Sequence, residues 1–192
     1  MDGDRLWYFA YGANMSPEVI ARRELAPISS QAACLAGYVL RFSQPGFAIT
    51  EPAFANLEPE ESGVVYGVLH ELSGADKDRL DSIEGAQYLN LELEVEIDAG
   101  PKVIAQVYIN PHPERGRIPS RRYLTLLVNG ANHYGLPDPY VDGLQAHRSR
   151  YIPVLSELTG KMMGSIERLR SMGLRTERIG MWVQSQKSRL RR

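Results

Sequence analysis

The chain has 192 residues, 43% of them apolar, with 22 Lys plus Arg against 23 Asp plus Glu. At roughly 100–200 residues per domain this is one globular domain with its own core, and disorder is excluded for most of its length. The near-neutral total hides a split, because residues 1–147 carry 11 basic and 20 acidic side chains whereas residues 148–192 carry 11 basic and 3 acidic.

In chain order, the aromatic run Leu6-Trp7-Tyr8-Phe9-Ala10 reads as a buried strand that ends in the turn-like Tyr11-Gly12-Ala13-Asn14. Ser16 as N-cap and Pro17 at the first helical position open a helix that continues to about Leu25. Strands are expected at about 32–43, at 46–57 with Pro52 interrupting, and at 63–72, where Gly63 to Leu72 is mostly apolar on both faces. Ser73-Gly74-Ala75-Asp76 resembles a capping box and starts a short helix to about Glu84, stopped by Gly85. Leu89, Leu91, Leu93, Val95 and Ile97 then alternate with Asn90, Glu92, Glu94, Glu96 and Asp98, so one face is buried and the other is solvated and acidic. Ala99-Gly100-Pro101 turns the chain, and Val103 to Ile109 returns as a hairpin partner.

Helical spacing reappears at Leu124, Leu127, Val128 and Ala131, and Gly135 to Pro139 ends that helix ahead of a second short one at 140–147. Val154, Leu155, Leu158, Met162, Ile166 and Leu169 predict an amphipathic helix over about 153–171. The pattern as a whole predicts the α+β class: a mainly antiparallel sheet or small barrel with flanking helices, plus a C-terminal amphipathic helix.

The chain contains no apolar stretch of about 18 residues, and Met1-Asp2-Gly3-Asp4-Arg5 begins acidic, so neither a membrane span nor a secretory signal is expected. A cytoplasmic location is the expectation. The single cysteine, Cys34, excludes internal disulfides and lies in the apolar run Ala32 to Leu35. His70, His112, His133 and His147 show no i,i+4 pairing and no ligand cluster, so no metal site is expected.

Two places break local rules, which is where function is expected. At Tyr11-Gly12-Ala13-Asn14 a strand ends in a glycine turn directly before a helix start, gathering loop and helix amides into an anion-attracting corner. It matches neither a P-loop nor a dinucleotide fingerprint, and taken alone it is equally a structural turn. Glu84 stands at a helix C-terminus, where the dipole favours cations, and beside the helix's apolar face. Burial and dipole both disfavour its charged form, the condition for a general base or acid near neutral pH. The alternative is a surface Glu at a frayed helix end.

Tyr8-Phe9-Ala10-Tyr11-Gly12-Ala13-Asn14-Met15 resembles the Tyr-Gly-Ser-Asn signature of the γ-glutamylcyclotransferase family, and Ile83-Glu84-Gly85 with Tyr88 resembles its Glu-Gly catalytic segment. Ala55 to Pro59 and Val65 to Leu69 are similar to its central strands. Val107-Tyr108 and Pro119 to Tyr123 fall where it carries further tyrosines, and Asn132 to Pro137 resembles its closing helix and Gly-Leu-Pro turn. The resemblance covers about residues 5–147 and implies a small mixed β-barrel with flanking helices and no cofactor. It implies conversion of a γ-glutamyl compound to 5-oxoproline and a free amine, with Glu84 catalytic. The amides of Tyr11, Gly12, Ala13 and Asn14 would hold a carboxylate or oxyanion, and Tyr88, Tyr108 and Tyr123 would supply hydroxyls and walls. Ala13 replaces the family's usual Ser, and residues 148–192 have no counterpart.

The organisation expected is therefore a catalytic domain at 1–147 acting on a small γ-glutamyl substrate, followed by a basic helical extension at 148–192. A non-catalytic ligand-binding or interaction module on the same fold is the alternative. A nucleic-acid binder would rest on the basic tail alone, and a mobility-shift assay without binding at physiological salt removes it. The opposite charges favour docking of the extension onto its own body or onto a partner copy in a homodimer. Truncation after His147 then lowers stability or solubility or alters the enzyme, and an unchanged, stable protein counts against docking.

Overall fold

The computed structural model describes residues 5–48, 51–85, 87–97 and 100–151. Along the chain lie β1 (Arg5–Ala10), a 3₁₀ turn (Ala13–Met15), α1 (Pro17–Arg22), β2 (Ser29–Ala48), β3 (Glu51–Ser73) and α2 (Gly74–Glu84). They are followed by β4 (Leu89–Glu96), β5 (Lys102–Ile109), α3 (Arg121–His133) and α4 (Asp138–Ala146). The strands close into a barrel in the order β1-β3-β2-β4-β5. All neighbours run antiparallel except β1 and β5, whose parallel pairing of Tyr8 with Gln106 completes the ring.

Tyr8, Phe9 and Ala10 of β1 are all buried, as a continuous apolar run requires when both faces of a strand are covered. Gly67 of β3 makes this possible, since a Cβ there would sit 2.4 Å from the Ala10 carbonyl oxygen and 2.7 Å from the Phe9 ring. One contiguous core joins these residues to Leu69, Leu72 and Val107 of the barrel, Leu124 and Leu127 of α3 and Leu144 of α4.

The largest departure from the sequence expectation is in β2 and β3, which are 20 and 23 residues long rather than three shorter strands. Residues 46–57 do not form one strand but divide between the end of β2 and the start of β3, and 63–72 continues the same β3. Glu58 to Ser62 reads as a turn because it is polar and contains Pro59, yet pairing holds on both sides of it. Ala36 faces Val64 and Tyr38 faces Pro59, so β3 carries extra residues opposite Gly37, which takes φ +81°. Such a bulge bends and twists a long strand pair, which assists closure.

α1 ends at Arg22, earlier than the expected Leu25. Glu24 adopts φ 55°, its N–H bonds to Ala21 O (3.0 Å), and the Leu25 N–H reaches back to Ile20 O (3.1 Å) with Leu25 buried. This is a helix stop of the Schellman type with glutamate in the left-handed position. Ser16 precedes α1, but its side chain makes no capping bond. Ser73 does cap α2, accepting from the Asp76 N–H at 3.2 Å while its own hydroxyl donates to the Asp76 carboxylate at 2.8 Å. In β4 Val95 is buried and Leu91 and Leu93 are half-buried, whereas Leu89 at the strand's start is 50% exposed. α4 starts at Asp138, two residues ahead of the expected Tyr140. The amphipathic helix expected over 153–171 lies outside the described residues.

α3 is anchored by a buried carboxylate. Glu51, fully buried, accepts from Arg122 Nε at 2.7 Å and from the Ser120 hydroxyl at 2.6 Å, and the Ser120 oxygen caps the helix by accepting the Tyr123 N–H at 2.9 Å. Removing the cation from a buried pair leaves an uncompensated charge. Arg122→Ala is expected to lower the unfolding free energy by about 3 kcal/mol in urea titration. An unchanged midpoint and slope would show that the Arg122–Glu51 pair does not anchor α3.

Candidate active site

Four elements converge on Glu84, which stands in the last turn of α2. The Schellman stop after α1 delivers Arg23, whose guanidinium donates to Glu84 Oε1 at 2.7 Å, with the two side chains 13% and 15% exposed. The 3₁₀ turn delivers Asn14, whose Nδ2 donates to the same Oε1 at 3.3 Å and to the Tyr8 hydroxyl of β1 at 2.7 Å. Both bonds fall on Oε1. Because Nδ2 faces a carboxylate it must be the amide's donor side, and Oδ1 is then a buried acceptor without a protein partner.

Five tyrosines surround the carboxylate. Burial first, then the Glu84 charge, pushes the Tyr8 and Tyr88 phenols above their usual range. Burial and the neighbouring phenols raise Tyr11, and burial together with Asp81 raises Tyr108. Tyr123 is raised by burial although the Ala55 N–H donates to its oxygen at 3.1 Å. All five are therefore protonated at neutral pH.

Their protons have different destinations. Tyr11 donates to the Tyr108 carbonyl oxygen, and Tyr108 donates to Asp81, which also pairs with Lys77. Tyr11 and Tyr108 are thus pocket walls, with their protons committed to the protein. Tyr8 and Tyr123 accept N–H bonds at their oxygens, so each keeps its proton for another acceptor. Gly12 stands close beside Tyr123, since a Cβ would lie 3.0 Å from its hydroxyl and press it back. Ala13 is half-buried.

All eight residues singled out in the sequence therefore lie together around Glu84: Tyr11, Gly12, Ala13, Asn14, Glu84, Tyr88, Tyr108 and Tyr123. Sequence reasoning missed Arg23, Tyr8, Asp81 and His70. Arg23 reads as one more helix residue, and only the tight helix stop aims it at Glu84. The imidazole of His70 in β3, fully buried, lies 3.0 Å by Nε2 from the Asn14 carbonyl oxygen and 2.7 Å by Nδ1 from the Ser30 hydroxyl of β2. Among the described residues no group of three or more His, Cys, Asp or Glu could hold a metal ion, and no helix is long and apolar enough to cross a membrane.

A five-stranded barrel with a carboxylate at the end of α2, facing a Tyr-Gly-x-Asn turn and a ring of tyrosines, is the arrangement that the resemblance to γ-glutamylcyclotransferases implies. The model of the AIG2-like family matches residues 64–144. Gamma-glutamylcyclotransferase of Homo sapiens is 26% identical over 172 residues, covering 86% of this chain and 88% of its own. Gamma-glutamyl cyclotransferase gliK of Claviceps purpurea is 28% identical over 134 residues, 63% of this chain, which spans 60% of that longer relative. A solved gamma-glutamyl cyclotransferase superposes with a TM-score of 0.68 at 24% identity, covering 83% of this chain and 99% of that one. In sequence and in fold the chain is thus similar to the γ-glutamylcyclotransferases.

His70 gives the site a pH signature. Burial pushes its imidazole down to about 4, below the 6.5 of an exposed histidine. The unfolded chain therefore takes up this proton first, and the contribution present above pH 6.5 is lost as pH falls towards 4. The stability difference between wild type and His70→Gln should shrink by roughly 3 kcal/mol between pH 7 and pH 4 in urea unfolding. A difference independent of pH would show that His70 is not held neutral.

Proposed function

We propose that the protein is a cofactor-free cyclotransferase converting a γ-glutamyl amino acid or amine to 5-oxoproline and the free amine. The observation that carries this reading is the Glu84 carboxylate, 15% exposed, held at Oε1 by Arg23 and Asn14 and ringed by protonated tyrosines.

Nucleophile and electrophile belong to one substrate molecule, so the protein's tasks are to fold the chain and move protons. An ammonium is not a nucleophile. Glu84 accepts its proton, and the freed α-amino nitrogen attacks the γ-carbonyl carbon to form the C–N bond of the five-membered lactam. Glu84 gives this proton to the departing nitrogen as the original amide C–N bond breaks, then takes the second hydrogen that the new lactam nitrogen must lose and hands it to the released amine, which departs as an ammonium and leaves the carboxylate regenerated. Hydroxyls with an uncommitted proton, Tyr8 and Tyr123, are the donors available to the oxyanion or to the substrate's carboxylate. Asn14 Oδ1 is the acceptor available to an ammonium N–H.

Glu84→Gln tests the reading. It removes the base while keeping the side chain's size and its bonding to Arg23 through an oxygen. The expected result is a folded protein whose 5-oxoproline release falls by at least about a hundredfold across a panel of γ-glutamyl substrates. Turnover near that of wild type would sink the assignment. No release from wild type, with 5-oxoproline still bound, would instead identify a binding module on this fold.

A further inference from the structure

The Asn14 turn hangs on a residue that neither the reaction nor the family signature invokes. Tyr8, His70 and Ser30 form one row across three neighbouring strands: Tyr8 pairs with His70, and Ser30 pairs with His70 from the other side. Directly paired residues point to the same face of a sheet, which brings the imidazole between the phenol and the serine hydroxyl. The Tyr8 and His70 rings stack at 6.1 Å, and Tyr134, just after α3, stands edge-on to the imidazole at 6.2 Å.

Hydrogen-bond chemistry fixes the ring's protonation. The Asn14 carbonyl oxygen can only accept, so His70 Nε2 carries the hydrogen. In the neutral ring Nδ1 is then an acceptor, and the Ser30 hydroxyl donates to it. The groups facing the ring are Tyr8 from β1, Ser30 from β2, the Asn14 backbone and Tyr134. Tyr8 and Tyr134 are the titratable ones.

The consequence falls on Asn14, whose side-chain nitrogen divides between Tyr8 and Glu84 while its oxygen is buried without a partner. The direction of both ends of that amide depends on where the backbone of residue 14 is held. We propose that His70 is a positioning residue for the Glu84 reaction. Its Nε2–H holds the Asn14 carbonyl, Ser30 fixes the tautomer, and the Asn14 amide so placed steadies Glu84 with its nitrogen and receives the substrate's ammonium with its oxygen. The proposal rests on the cyclotransferase reading, and a histidine that only fills space predicts lower stability with unchanged turnover per folded molecule.

The experiment compares wild type, His70→Gln and His70→Leu. The glutamine amide nitrogen reaches the place of Nε2, whereas leucine fills the volume with no donor. Displacement of a catalytic group by about an ångström is enough to cost two orders of magnitude. His70→Leu is therefore expected to lower kcat for 5-oxoproline release by at least about tenfold per folded molecule, with His70→Gln restoring it to within about threefold of wild type. Equal losses in the two variants, or no loss in either, overturn the proposal.

Nitrogen-15 NMR reads the positioning without turnover. In wild type at pH 7 the ring should be neutral with hydrogen on Nε2, and the Asn14 side-chain amide resonances should move in His70→Gln relative to wild type less than in His70→Leu. If His70→Leu fails to fold, the wild-type tautomer and the His70→Gln turnover still decide: an Nδ1–H ring or an imidazolium, or a tenfold loss in His70→Gln, overturns the assignment. Wild type that releases no 5-oxoproline overturns the cyclotransferase reading, whereas an active wild type with Asn14 resonances indifferent to His70 overturns this proposal alone.

Discussion

The site is organised around one carboxylate that is mostly removed from water. A half-hidden anion is tolerated only beside a cation or hydrogen-bond donors, and Glu84 has both, in the Arg23 guanidinium and the Asn14 amide. Those partners lie about sixty and seventy residues away in sequence, so the requirement ties the ends of α1 and α2 and the turn after β1 to a single point. The neighbouring contacts serve the same end. Arg79 pairs with Glu24 at the left-handed helix stop, and Asp76 accepts the Ala26 N–H, so α2 clasps the chain just after Arg23. A loosening of either helix end would expose the ion pair, and an exposed pair is screened and worth little.

The tyrosines complete that environment in two ranks. Tyr11 and Tyr108 have their hydroxyl protons fixed by the protein, one on a carbonyl and one on Asp81, and Lys77 lies 5.9 Å over the Tyr108 ring while pairing with the same Asp81. Lys77, Asp81 and Glu84 fall on one side of α2 at helical spacing, so the wall that holds Tyr108 and the reactive carboxylate are set by the same helix. Tyr8 and Tyr123 differ in that their oxygens accept. Aromatic rings therefore exclude water from around the anion, and only selected hydroxyls remain as donors.

Much of this was legible in the sequence because the signals were local. The aromatic strand ending at Tyr11-Gly12, the cap at Ser73, the stop at Gly85 and the alternation from Leu89 each depend on a few adjacent residues, and family likeness attached chemistry to two of them. The long β2–β3 pair was not legible, because Glu58 to Ser62 carries the composition of a turn and only the pairing of residues on both sides keeps it within a strand. Arg23 and His70 were not legible for a related reason. Their importance lies in the partner across the fold, Glu84 for one and the Asn14 carbonyl for the other, and no periodicity or spacing records a contact between residues so far apart in the chain. Ser16 stands at the N-cap with Pro17 next to it, as the residue types indicate, but its hydroxyl makes no capping bond, and the 3₁₀ turn ahead of α1 leads the Ser16 N–H to Ala13 O instead.

The exchange of the family's usual serine for Ala13 shows what the turn requires at that position. The Ala13 carbonyl accepts the Ser16 N–H at 3.0 Å, a backbone bond that closes the turn. A serine hydroxyl would add one donor to the pocket but would not carry that bond, so the turn keeps its shape with alanine. Tyr123 packs against the same loop, where its oxygen accepts the Ala55 N–H at 3.1 Å, and a phenol that accepts is made a better donor of its own proton. Gly12 leaves room for that hydroxyl, since a Cβ there would stand 3.0 Å from it and press the phenol back. Gly12 and Tyr123 therefore fit one another although they lie far apart in the sequence.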